Sequence, residues 1–141
     1  MQRAMQQRPD DLNVQSVYAP AIQAVLAMNR HNAAKALDLL KKAEPFDRAI
    51  AEVRYTRASA LLMAGHGEEA AQEFRAVIGL KGYTLSDPTF PVAQLGLARA
   101  LATTDKAAAR VAYQDFFALW KNADQAVPIL KQAQAEYKNL Q

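Results

Sequence analysis

Alanine recurs along this chain at a fixed interval. Ala24 and Ala58 stand 34 residues apart, Ala36 and Ala70 do the same, and Leu40 is followed by Phe74 at that distance. A third round comes at a longer interval, with 40 residues from Ala58 to Ala98 and 39 from Ala70 to Ala109. Self-similarity at a period of about 20–50 residues marks stacked supersecondary units, and a period near 34 suits a helix, a turn and a second helix. The repeated residue types fit that reading. Small residues at Ala24, Ala58 and Ala98, and again at Ala36, Ala70 and Ala109, let two helices approach closely. Bulky Leu40, Phe74 and Tyr113, four residues later on the same helix face, fill the space between units. The longer third interval is explained by the connection K-G-Y-T-L-S-D-P-T-F-P at 81–91, and the one-residue difference places a deletion at 102–105, where a glycine is expected.

Turn signals divide the chain accordingly. Residues 1–8 read as the tail of a helix ending before Pro9, and helices are expected at about 12–29, 33–44, 48–64, 68–80, 89–103, 106–122 and 127–140. Asn32, Asp47, Asp87 and Asp105 are placed to cap helices by accepting orphan backbone N–H groups. Pro88 suits a first helical position, Gly65 and Gly67 flank a tight turn, and Gly82 can end a helix. Each segment carries an apolar stripe at helical spacing, such as Ala70, Phe74, Val77 and Ile78. The last segment pairs an apolar edge of Ile129, Ala133, Tyr137 and Leu140 with Lys131, Gln132, Glu136 and Lys138 opposite, as a helix closing an array would. The expected fold is all-α: an α-α superhelix of three helix-turn-helix units at about 12–46, 47–82 and 88–122, closed by a capping helix at 127–140 and forming one domain over 1–141.

Composition removes several function classes. With 51% hydrophobic residues, abundant Ala, and Val, Ile and Thr too scattered for sheets, the chain favours helices. The 17 Lys and Arg against 14 Asp and Glu leave a charge of only +3, spread along the chain without the clustered basic face of a nucleic-acid binder. Cysteine is absent, which excludes disulfides, thiolate metal ligands and a Cys nucleophile. No unbroken apolar stretch approaches the ~20 residues of a membrane span, and the first residues lack the apolar core of a signal peptide. The chain itself is therefore not expected to be embedded in a membrane.

Catalytic motifs are equally sparse. The Gly65-His66-Gly67 cluster lacks a third glycine and joins two helices, so it reads as a repeat turn and not a phosphate loop. His31 and His66 both fall in turns, with no carboxylate or Cys at a spacing that completes a metal site. Glu68-Glu69 complements the dipole of the helix it begins. Trp120, with Phe116 and Phe117, is expected to pack the last unit against the closing helix. No enzyme activity, cofactor or metal is expected.

The 34-residue units at 12–122 resemble the tetratricopeptide repeat family. Two departures stand out: Pro20, Arg54 and Gln94 occupy the family's first-helix aromatic position, and the closing Pro is missing, although Pro45 comes close. The runs L-G-L-A-R-A-L-A at 95–102, A-Y-Q-D-F-F-A-L-W-K-N-A-D at 112–124 and V-P-I-L-K-Q-A-Q-A-E-Y-K-N-L at 127–140 look like the C-terminal end of the repeat region in bacterial, especially acidobacterial, serine/threonine protein kinases. The stretch A-P-A-I-Q-A-V-L-A-M-N-R at 19–30 is similar to an earlier part of that region. Such regions follow a kinase domain, commonly across a membrane helix, and related ones accompany winged-helix regulators, so the parent protein and its compartment stay open. The kinase signatures are absent from these residues.

The resemblance implies a concave groove lined by the first helix of each unit. Its pattern falls on Tyr18, Ile22, Val25 and Asn29, on Glu52, Tyr55, Thr56, Ser59 and Met63, and on Val92, Leu95 and Arg99. These residues either line a ligand surface or pack against the next unit. The family's cationic clamp for a peptide carboxylate is not reproduced, since its places hold mostly apolar or hydroxyl residues, with Arg99 the main cation. The expected function is protein or peptide binding within a longer bacterial signalling protein, with self-association through an exposed first helix. A segment that senses a small ligand and signals to an attached domain is the alternative.

Overall fold

A computed structural model describes residues 14–44, 47, 50–80 and 88–140. All regular structure among them is helical, in seven α-helices: α1 Ala19–Met28, α2 Ala33–Lys41, α3 Ala51–Met63, α4 Gly67–Gly79, α5 Thr89–Leu101, α6 Lys106–Leu119 and α7 Pro128–Lys138. A single π-helical turn, Val14–Tyr18, leads into α1. The wider turn is physically apt at this point, because Pro20 in the first turn of α1 lacks an N–H and its ring crowds the carbonyl four residues back.

The helices pair as the spacing predicts. α1 packs on α2, α3 on α4 and α5 on α6, while each second helix also packs on the first helix of the next pair. First helices lie beside one another, α1 against α3 and α3 against α5. Neighbour-to-neighbour packing of this kind builds an α-α superhelix, not a ball around one centre. The core reflects it. One buried cluster joins Val17, Ala21, Ala24, Ala36 and Leu40 to Val53 and Ala60 of α3. A second runs from Ala58 and Leu61 on the same α3 through Phe74, Ala98 and Tyr113 to Leu130 and Ala133 of α7. The repeat positions sit at the centre of both: six alanines at 24, 36, 58, 70, 98 and 109, with Leu40, Phe74 and Tyr113, are each at most 1% exposed.

The caps follow local chemistry in two of the three testable places. The Asn32 side chain accepts from the Lys35 N–H at 3.0 Å, and Asp105 accepts from Ala108 at the same distance. Asp47 does not cap. α3 begins only at Ala51, with Ile50 at the cap position, and the Asp47 carboxylate is buried against the Arg57 guanidinium instead. A cationic partner ten residues on is the stronger attraction for a carboxylate out of water than a helix N-terminus. The expected features at residues 1–8, Gly82 and Asp87 lie outside the described residues.

The intra-unit turns show the repeat at backbone level. Gly65 has φ 83°, and His31, 34 residues earlier, takes φ 55°. Both occupy the left-handed region, which costs glycine little and which histidine enters only in tight turns. The third turn, shortened by one residue, reaches the Asp105 cap with no left-handed residue.

α7 closes the array on α6. Tyr137 packs at 5.9 Å from Tyr113 and edge-on to Phe117 at 5.7 Å, while Arg110 donates two bonds to the Leu140 carbonyl at 3.2 and 2.7 Å. Lys131, Gln132 and Lys138 face water as expected, whereas Glu136 turns inward. It meets Arg99 of α5 in a two-pronged pair, both arms at 2.9 Å, and accepts from the Tyr113 hydroxyl at 2.9 Å. Trp120 stacks near Phe116 at 5.5 Å, its indole N–H enclosed with no acceptor among the described residues.

Burial, then the adjacent Glu136 carboxylate, push the Tyr113 phenol well above its ordinary value of 10.0. Its folded pKa thus exceeds the unfolded one. The stability tied to the neutral phenol is whole below about pH 10 and declines as the pH climbs from there toward the folded value. Melting temperatures measured at rising alkaline pH are expected to fall, and Tyr113→Phe to flatten that fall while costing about 1.5 kcal/mol at neutral pH. An unchanged alkaline profile in the variant would remove Tyr113 as its source.

Candidate functional site

The groove residues separate by helical angle. With successive residues about 100° apart on a helix, Tyr18, Ile22, Val25 and Asn29 fall on one line of α1 and its preceding turn, and Glu52, Thr56, Ser59 and Met63 on the matching line of α3. Tyr18, Ile22, Val25, Asn29, Glu52 and Met63 are exposed, and Thr56 and Ser59 half-buried. Because α1 and α3 lie side by side, these lines form one continuous surface. It offers a phenol and three apolar side chains, with Glu52 and Asn29 at its polar margins. Thr56 spends its hydroxyl on the Glu52 carbonyl at 2.8 Å.

Tyr55 and Leu95 occupy a different register. One position before Thr56 in the helical sequence, Tyr55 turns about 100° toward the core. Its ring meets Phe74 edge-on at 5.7 Å, leaving it half-buried. Leu95, the corresponding residue of the third unit, is 1% exposed and belongs to the core. Both residues pack.

The third unit does not extend the surface. Gly96 stands where Ile22 and Thr56 stand in the earlier units, and it is buried under the Phe74 ring, which occupies the space a Cβ would need. Arg99, expected to be the main cation, is bound to Glu136 from α7. Val92 is half-buried. The open part of the groove is thus confined to α1 and α3, and the closing helix has taken up its arginine. The sequence shows no Arg99–Glu136 partnership because the two residues are 37 apart and belong to segments with no repeat relation.

A cleft absent from the sequence reading lies on the opposite side. Between α2 and α4, floored by Arg57 and Leu61 of α3, the chain encloses about 540 Å³. Asp38, Lys41, Glu69 and Glu73 line its walls. Arg54 holds Glu73 by Nε at 3.0 Å and by Nη2 at 3.4 Å, and Arg57 lies 3.9 Å from the same carboxylate while pairing with Asp47. This network orders the junction between units one and two. The only sequence signal for it was the run of charged residues on the outer faces of α2 and α4.

His31 and His66 are exposed in their turns, and His66 Nδ1 sits 2.8 Å from Glu69 Oε1. No group of three potential metal-ligating side chains occurs among the described residues, and no described helix is long and apolar enough to cross a membrane. Compared with protein families, with curated proteins and with solved structures, the chain matches none.

Proposed function

We propose that this chain is a non-catalytic binding scaffold of the tetratricopeptide type, which holds a protein or peptide segment against the face formed by α1 and α3. One observation carries the reading: Tyr18, Ile22, Val25 and Met63 are each more than 40% exposed along adjoining lines of α1, its preceding turn and α3. An apolar face bearing an aromatic anchor and polar margins is how a docking surface is composed. The sequence resemblance to repeat regions of bacterial serine/threonine kinases supports a role within a signalling protein, as the part that selects a partner while another domain acts.

Selection from a displayed peptide library against the full chain tests this. Ligands should emerge whose binding perturbs the amide resonances of Tyr18, Val25 and Met63. Val25→Asp should weaken them by about tenfold or more, the effect of one hot-spot residue, without lowering the melting temperature. Failure to select any peptide, or selection of peptides indifferent to Val25→Asp, would defeat the reading. A second reading, a segment that senses a small ligand, draws on the 540 Å³ cleft between α2 and α4, whose size suits one. Thermal shifts with charged metabolites, abolished by Glu73→Gln, would favour it.

A further inference from the structure

The two junctions between repeat units are one structural position filled in two ways. Leu97 and Leu101 of α5 and Ala112 of α6 are buried in the core that runs through units two and three. Set back by the repeat offsets, 40 residues on the first helix and 39 on the second, they become Arg57, Leu61 and Glu73. All three of these line the 540 Å³ cleft between α2 and α4. Ala108, half-buried on α6, likewise becomes the exposed Glu69 on the wall of that cleft. A junction of this fold thus closes on leucine and alanine, whereas the first junction replaces three of those apolar side chains with charge and stays open. Closing the fold does not require that exchange, and charged groups withdrawn from water must each be given a partner.

We infer that this cleft is a site for a small aliphatic polyamine, which gives a ligand class to the small-ligand reading and rests on it. At the floor the charges cancel within the protein: Arg57 pairs with Asp47, and Arg54 with Glu73. What is left toward the cleft is acidic and stands on both walls. Asp38 of α2, and Glu44 just past its end, are exposed and form no ion pair among the described residues. Glu69 of α4 meets only the His66 ring there, at 2.8 Å. Lys41 is the one free cation among the described lining residues. Leu37 and Leu61 supply apolar surface. A ligand whose ammonium groups are separated by methylenes matches this lining: carboxylates on opposite walls take its ends while the methylenes lie on the leucines.

Size and ligand number select among charged occupants. The volume falls within the roughly 300–1,000 Å³ of small-molecule sites. A bare metal ion needs several ligand atoms converging on one point, and no group of three potential metal-ligating side chains occurs among the described residues. An anion would face three free carboxylates with Lys41 alone to hold it. The cleft is also separate from the α1–α3 groove. It meets α3 on the side of Arg57 and Leu61, whereas the groove runs along Glu52, Thr56, Ser59 and Met63.

Calorimetric titration of the full chain with spermidine tests this. Spermidine should bind saturably, raise the melting temperature with its concentration, and shift the amide resonances of Leu37, Leu61 and Gln72. Hexylamine, which has a single ammonium, should bind about tenfold more weakly or worse, the effect of losing one charge-assisted contact. Asp38→Asn with Glu69→Gln should weaken spermidine by about the same factor. The unliganded melting temperature should stay nearly unchanged in that variant, because both carboxylates are exposed. The groove variant Val25→Asp should bind spermidine normally. Absence of saturable binding, indifference to the two substitutions, or an equal effect from magnesium chloride at matched charge would overturn the proposal. So would a lysine-rich peptide that binds the cleft more tightly than spermidine, since the site would then belong to a protein partner. Citrate seated in the cleft in place of spermidine would defeat the polyamine while keeping the small-ligand reading. Silence from every charged metabolite would defeat both.

Discussion

Replacing Asp47 with alanine is expected to lower the free energy of unfolding by about 3–5 kcal/mol. The carboxylate is 1% exposed and sits against the Arg57 guanidinium, itself largely enclosed. Arg57 also donates to the Leu40 carbonyl at 3.5 Å, so one side chain of α3 ties down the end of α2 and the connection that follows it. Removing the carboxylate leaves a guanidinium out of water with only the more distant Glu73 to balance it, and an uncompensated buried charge is far costlier than a lost surface pair. Urea titration should show a lower midpoint with an unchanged slope. Replacing both partners with apolar residues, Asp47→Leu with Arg57→Met, should recover most of the loss, because no charge is then stranded. A single-variant cost below about 1 kcal/mol would mean that the pair is solvated and that the α2–α3 junction is held by its apolar contacts alone.

Phe74→Ala should cost a similar amount, about 3–5 kcal/mol, through the cavity it opens between units two and three. Phe74 is 1% exposed, meets Tyr55 edge-on and lies over Gly96 of α5. That last contact yields a sharper test. Gly96→Ala in an exposed helix would stabilise by about 1 kcal/mol through helix propensity. Here the added methyl must occupy the place of the Phe74 ring, so overpacking should outweigh propensity and destabilise by about 1–3 kcal/mol. Combined with Phe74→Leu, which frees the space, Gly96→Ala should become neutral or favourable. Such a change of sign is a non-additivity that only two touching residues can produce. Were Gly96→Ala alone to raise the melting temperature, the close approach of α4 and α5 would be refuted.

How far the sequence could be read depended on the range of the forces involved. Caps at Asn32 and Asp105 were legible because the acceptor and the N–H it satisfies are three residues apart. The same rule failed at Asp47, where a partner ten residues away competed and won. The buried alanines and their bulky companions were legible because each is repeated, and repetition converts a long-range contact into a local pattern. Arg99 was misjudged for the opposite reason: Glu136 lies in the one helix that is not a repeat, so no periodicity announced the pair. On α1 and α3, Tyr18, Asn29, Glu52, Ser59 and Met63 keep to one line, whereas Tyr55 of α3 and Leu95 of α5 leave it, because a shift of one residue turns a side chain by about 100° toward the core.

The sequence by itself determined that this chain is helical, that its helices come in pairs, and which small and bulky residues meet between them. Those properties follow from propensity, turn chemistry and a period that repeats, all of which act within one unit or between a unit and its copy. Only the tertiary structure decided which part of the groove stays open and that α7 takes Arg99 and Glu136 out of service. These depend on contacts between segments that share no repeat relation, such as α5 with α7, which neither a local rule nor a period announces.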